Sequence, residues 1–164
     1  MKTLLLLRHA KSSWKEPGLT DFERPLNGRG LKAAPLMGRF LRRKNLRPEL
    51  ILSSPAKRAS QTARLIIEAM KLDAEPGFDE HIYEASVHDL LEVISQIEDG
   101  AHAVLLVGHN PGLEELLEFL TGEARQMPTA ALAHITLNID KWSETRGRAG
   151  HLEWLVKPKE LTER

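Results

Sequence analysis

The 164 residues include no cysteine, leave no net charge when 23 Lys and Arg are set against 23 Asp and Glu, and contain no long apolar run. The first absence removes disulfides, thiolate nucleophiles and cysteine-based zinc or iron–sulfur sites. The second argues against a generally basic nucleic-acid binder and against a generally acidic tail. The third removes a membrane helix, because the apolar run at residues 3–7 falls far short of the ~18–20 residues that span a bilayer. That run also lacks the length and small-residue cleavage site of a secretory signal. The expectation is a cytoplasmic protein with neither a membrane nor a nucleic acid as partner. Local signatures are missing too. There is no G-x-x-x-x-G-K-[ST] loop, no G-x-S-x-G elbow and no H-E-x-x-H. Residues 28–33 match G-x-G-x-x-A in form, but they do not directly follow a strand, and no acidic residue ends a second strand about twenty residues on.

What is present is unevenly spread. Residues 1–64 hold 15 Lys and Arg against 4 Asp and Glu, a net of +11, and residues 65–164 hold 8 against 19, a net of −11. A charge asymmetry between halves asks for an explanation.

Residues 3–7, 50–53 and 103–107 are short continuous apolar runs, the pattern of strands buried on both faces. Amphipathic segments lie between them. Residues 31–44 carry Leu31, Ala34, Met37 and Leu41 on one face and end in Arg42, Arg43 and Lys44, which suit the negative end of a helix dipole. Pro35 is expected to kink this helix or delay its start. Residues 56–71, 87–97 and 113–120 are periodic in the same way. After Pro128 the pattern changes, and residues 131–139 and 151–156 alternate like half-buried strands around a connection at 142–150. The order predicts an α/β fold, a three-layer sandwich with a mainly parallel central sheet flanked by helices on both faces. The length suits one domain, expected over residues 1–156 with a polar, loosely held tail at 157–164.

In open α/β sheets ligands collect outside the carboxyl ends of the strands. Three groups of chemically active residues fall there. The first strand ends in Arg8-His9. The second ends in Ser53-Ser54-Pro55, with Arg58 in the first turn of the next helix. The later apolar strand ends in Gly108-His109-Asn110-Pro111-Gly112, again opening a helix. Parallel strands bring two His and two Arg to one edge. Arg is a planar fork that pairs two phosphate oxygens, and helix N-termini add backbone N–H groups. One imidazole can act as a nucleophile, and the other can donate to oxygens as charge shifts during phosphoryl transfer. Each piece alone is ordinary; their joint placement points to an anionic, phosphorylated substrate.

The stretches 4–12 (LLLLRHAKS), 24–30 (RPLNGRG), 51–62 (ILSSPAKRASQT) and 104–112 (VLLVGHNPG) carry a resemblance. In these, and in their order, the sequence resembles the histidine phosphatase (phosphoglycerate-mutase-like) superfamily, and most of all its short SixA-like phosphohistidine phosphatase branch. The resemblance implies that His9 is the nucleophile that becomes phosphorylated and that Arg8, Arg58 and His109 complete the phosphate pocket. It implies Ser12 as a secondary phosphate contact, and no metal or cofactor. Two positions depart from the pattern. Ala10 stands where Gly is usual, and Lys15 stands where mutase-like members carry a phosphate-contacting Asn.

A phosphomonoester leaves as an alkoxide and benefits from a general acid. Larger family members supply one from the segment that corresponds to residues 78–84, which makes Glu80 the first candidate and Glu84 the second. A phosphohistidine substrate eases that need, because its leaving imidazole has a conjugate acid of pKa near ~6.5. No segment is long enough to serve as the lid that a mutase needs to exclude water. The expected function is hydrolysis through phospho-His9, on a phosphorylated protein or a small phosphorylated substrate. The competing class is a non-catalytic phosphate or phosphohistidine binding module. His81, Glu84 and His88 are expected on a solvated helix start, Trp142 and Trp154 in packing, and Trp14 in packing or at the pocket rim. On this reading the basic half supplies cations for the phosphate, and the acidic half supplies His109 and the candidate acids.

Overall fold

Four consecutive leucines, residues 4–7, can all be buried only on a strand covered on both faces. In the computed structural model, which describes residues 1–161, they occupy β1 (Lys2–Arg8) and are fully buried. The other strands are β2 (Leu50–Ser53), β3 (Gly77–Phe78), β4 (Ala103–Gly108), β5 (Leu132–Leu137) and β6 (Gly150–Val156). They form one sheet in the order β3-β2-β4-β1-β5-β6. The first four of that order are mutually parallel. β5 runs antiparallel to β1, and β6 antiparallel to β5. The mainly parallel sheet is therefore extended on one side by an antiparallel hairpin.

Alternation along the strands sorts the core into two halves. Leu5, Leu7, Leu105, Val107 and Leu132 pack with α1 (Gly28–Arg43) and α2 (Lys57–Met70). Leu4, Leu6, Val104, Leu106, Ala133 and Ile135 pack with α3 (Val87–Ser95) and α4 (Gly112–Thr121). α1 and α2 approach closely: a Cβ at Gly38 would lie 2.7 Å from that of Ala69.

Three sequence expectations are corrected. α1 starts at Gly28 rather than near residue 31, because the Asn27 side chain caps it by accepting from the Gly30 N–H at 2.9 Å. Pro35 lies within this helix and does not delay it. The segment after β6 is tied down as far as it is described: Pro158–Glu160 forms a 3-10 turn, the Lys157 N–H donates to Glu160 Oε1 at 2.8 Å, and Leu161 packs against the core. Residues 162–164 of the expected tail lie outside the described residues. β3, two residues long, carries no periodicity that a sequence can show.

Strand register places the site. Arg8 pairs with Gly108, and Ser53 with Val107. The chain therefore leaves β1, β2 and β4 at one edge, delivering His9, Ser54 and His109 side by side.

Candidate active site

The turn after β1 is fixed from three sides. The His9 N–H donates to the Gly108 carbonyl at 3.1 Å, and the Ala130 N–H donates to the carbonyls of Arg8 (3.1 Å) and His9 (3.0 Å). Thr62 of α2 accepts from the Ala10 N–H at 3.0 Å and donates to the Arg58 carbonyl at 2.7 Å. One hydroxyl thus links the His9 turn to the helical turn that carries Arg58. Gly30 closes the other side, since a Cβ there would fall 2.2 Å from the Lys11 carbonyl oxygen.

His9 is buried. Its Nδ1 lies 2.8 Å from the Ala10 carbonyl oxygen. A carbonyl only accepts, so Nδ1 carries the proton and Nε2 keeps its lone pair. Burial lowers the His9 pKa to about 4; the Ala10 carbonyl opposes this, and the charges of Arg58, Arg8 and Arg24 add to it. His9 is therefore neutral at pH 7. The His109 ring centroid lies 5.1 Å from that of His9. His109 Nε2 is 2.8 Å from Ser54 Oγ, and its Nδ1 is 3.4 Å from a terminal nitrogen of Arg58. Arg58 can only donate, which assigns Nδ1 as the acceptor and Nε2–H as the donor to Ser54. Burial, then His9 and Arg58, lower the His109 pKa to about 3, against the pull of Asp21.

Three guanidiniums line the pocket, which encloses about 270 Å³: Arg8, Arg24 and Arg58. Arg58 is buried and doubly anchored on Asp21, through the backbone carbonyl (2.7 Å) and Oδ2 (3.0 Å). Arg24 forks onto Asp21 Oδ1 (3.2 and 3.0 Å) and donates to Ser12 Oγ (2.7 Å). The Tyr83 hydroxyl donates to Asp21 Oδ2 at 2.6 Å. This hydroxyl, followed by Arg58 and Arg24, lowers the Asp21 pKa to about 2, while burial and Asp21 raise Tyr83 to about 12. Arg8 donates to the Met127 carbonyl at 3.1 Å. The Nε atoms of Arg8 and Arg58 are buried without a partner among the described residues.

The structure thus brings Arg8, His9, Ser12, Arg58 and His109 together at one pocket. Glu80 and Glu84 are exposed and do not line it. From their segment it is Tyr83 that reaches the site, its ring packing edge-on against His109 at 5.4 Å. Asp21, Arg24, Thr62 and Tyr83 received no role from the sequence. Arg24 and Thr62 do stand inside matched stretches, and Thr62 follows Arg58 by one helical turn. Trp14 lies at the rim, 76% exposed, with the Arg24 guanidinium carbon 3.5 Å from the centre of its ring. Lys15 is exposed and outside the pocket. His81 and His88 are exposed, paired with Asp79 and Glu92, and Trp142 is fully buried.

The profile of the histidine phosphatase superfamily (branch 1) matches residues 4–100. The chain belongs to the histidine phosphatase superfamily. Relatives extend over most of its length. An uncharacterized chloroplastic protein of Arabidopsis thaliana is 30% identical over 170 residues, covering 96% of this histidine phosphatase and 78% of its own chain. A crystal structure of a candidate phosphohistidine phosphatase SixA from Agrobacterium tumefaciens is 32% identical, with a TM-score of 0.81 over 96% of this chain and 98% of that one. The protein histidine phosphatase SixA complexed with tungstate is 23% identical and shares the fold, with a TM-score of 0.85 over 97% and 99% of the two chains. In this member of the superfamily the Arg-His turn follows β1, a central strand between β4 and β5.

Proposed function

We propose that this protein is a phosphatase that hydrolyses protein phosphohistidine through a covalent intermediate on His9, without a metal. The observation that carries this reading is the pocket's composition. A neutral imidazole with a free Nε2 lone pair stands among three guanidiniums, and no carboxylate lines the pocket among the described residues. In the first step the substrate imidazole, protonated from solvent on its other ring nitrogen, takes the electron pair of the breaking P–N bond and leaves neutral as Nε2 of His9 forms its bond to phosphorus. In the second a water oxygen bonds to phosphorus, the P–Nε2 bond breaks, and inorganic phosphate leaves. The attacking water gives up a proton to solvent in the second step, which replaces the one the leaving imidazole took up in the first. Arg8, Arg24 and Arg58 neutralise the phosphoryl oxygens, and the unmet donors of Arg8 and Arg58 suit an oxyanion. Tungstate bound to the related SixA is a tetrahedral oxyanion, which agrees with that use.

The lack of a carboxylate favours the phosphoramidate. An imidazole that takes a proton from solvent on its other ring nitrogen departs neutral without a positioned acid, whereas an alkoxide requires a positioned donor. Without one, phosphomonoesters with poor leaving groups are expected to be slow substrates, and para-nitrophenyl phosphate, whose leaving group is good, a usable one.

The test is His9→Ala. Acid-labile phosphate on the protein and turnover of a phosphohistidine peptide should both disappear. Hydrolysis that persists undiminished in this variant would refute the mechanism.

A further inference from the structure

Beside the phosphate pocket lies a larger groove of about 790 Å³ that shares Arg8, Lys11 and Thr129 with it. One wall is a single stripe of α1: Arg29, Lys32, Ala33 and Leu36, at the spacing that stacks residues on one helix face. Lys157 contributes from the turn after β6, and Pro128 from the segment before β5. Lys11, Arg29, Lys32 and Lys157 form no ion pair among the described residues. Among the described residues the one acid in the groove, Glu114, is already engaged, accepting from the Met127 N–H (2.6 Å) and from the Asn110 side chain (2.9 Å). The chemistry described above uses none of Arg29, Lys32 and Lys157.

We infer that this groove binds an acidic peptide segment of the substrate protein, next in sequence to the phosphorylated residue. The inference rests on the phosphatase reading, because the groove opens onto the proposed phosphate pocket. The lining selects the occupant. Among the described residues no aromatic side chain lines the groove to stack a nucleobase. The cations are mostly lysines, compact point charges on flexible stems, which suit scattered carboxylates better than the rigid forks that grip a polyphosphate. Ala33, Leu36 and Pro128 offer apolar surface for aliphatic parts of a peptide. From Arg29 to Leu36 the helix rises about 10 Å, the span of about three extended residues. The recognised acids therefore lie within about three positions of the phosphorylated residue.

The test compares two phosphohistidine peptides, one with Asp and Glu at those positions and one with Ser and Asn, on the wild type and on Arg29→Glu/Lys32→Glu. The wild type should prefer the acidic peptide about tenfold in kcat/KM, mainly through KM, and the preference should shrink with added salt. The variant should lose it, with turnover of para-nitrophenyl phosphate unchanged, which also reports that the variant is folded. Equal use of the two peptides by the wild type, or an unchanged preference in the variant, overturns the groove assignment and leaves the phosphatase reading intact. Loss of all turnover by the wild type instead overturns the phosphatase reading. Fluorescence anisotropy with the unphosphorylated acidic peptide then decides the groove by itself. Binding about tenfold weaker to the variant supports it, and equal binding, or displacement by ATP but not by excess acidic peptide, sinks it.

Discussion

The phosphate pocket and the neighbouring groove are both basic, yet they hold their charges in opposite ways. In the pocket the cations are three arginines beside Lys11, and Arg24 and Arg58 are buried and pinned to one carboxylate. In the groove they are mostly lysines, and Lys11, Arg29 and Lys32 are exposed. A fixed fork loses little freedom when it meets a phosphoryl group and holds its geometry through the reaction. A flexible ammonium adapts to carboxylates whose positions vary. The difference separates a surface built to do chemistry from one suited to recognition.

Removing the anchor should erase that distinction. Asp21→Ala frees Arg24, Arg58 and Tyr83 at once, and kcat/KM for para-nitrophenyl phosphate is expected to fall about 100-fold, mainly in kcat. Steady-state kinetics check this; a change confined to KM would mean that Asp21 tunes binding and not alignment. Thr62→Val is smaller in reach. It leaves the buried Ala10 N–H without its acceptor, and urea denaturation should show a loss of about 1–3 kcal/mol.

The buried imidazole also marks the pocket in its pH behaviour. His9 binds a proton near ~6.5 when unfolded, but only near about 4 when folded. The unfolded state therefore holds more protons in between, and stability present above pH 6.5 is lost as the pH falls toward 4. Between pH 7 and pH 4.5 the wild type should lose about 2 kcal/mol more than His9→Gln, measured by urea denaturation at both values. The smallest effect is expected at Glu80→Gln, within about twofold of wild type on a phosphohistidine peptide, because no general acid is needed there. A drop of a hundredfold would bring Glu80 into the reaction.

These residues also show what a sequence can and cannot display. Arg8, His9, Arg58 and His109 were legible because each stands at the carboxyl end of a strand or in the following helical turn, and strand order alone makes those ends converge. The strands themselves were legible from uninterrupted apolar runs. Asp21 opens one short 3-10 turn and Tyr83 follows another, both too short to show periodicity and 62 residues apart, so nothing local announces that one hydroxyl meets one carboxylate. Glu80 was chosen for its chemical type, but the 3-10 turn Glu80–Ile82 buries Ile82, leaves Glu80 exposed and presents Tyr83 to the site. The start of α1 was misplaced because its cap is an asparagine side chain upstream of the apolar stripe.

The four stretches that mark the family end at residue 112, yet the Ala130 N–H grips the carbonyls of Arg8 and His9, and Met127 receives Arg8. β5 then pairs along β1 from Lys2 to Leu7. A nascent chain that has emerged only to residue 112 carries every signature and nine of the ten residues that line the pocket. The backbone that grips the turn carrying His9 arrives only with the last third of synthesis, so the turn is held in place by a part of the chain that bears none of the family's signatures.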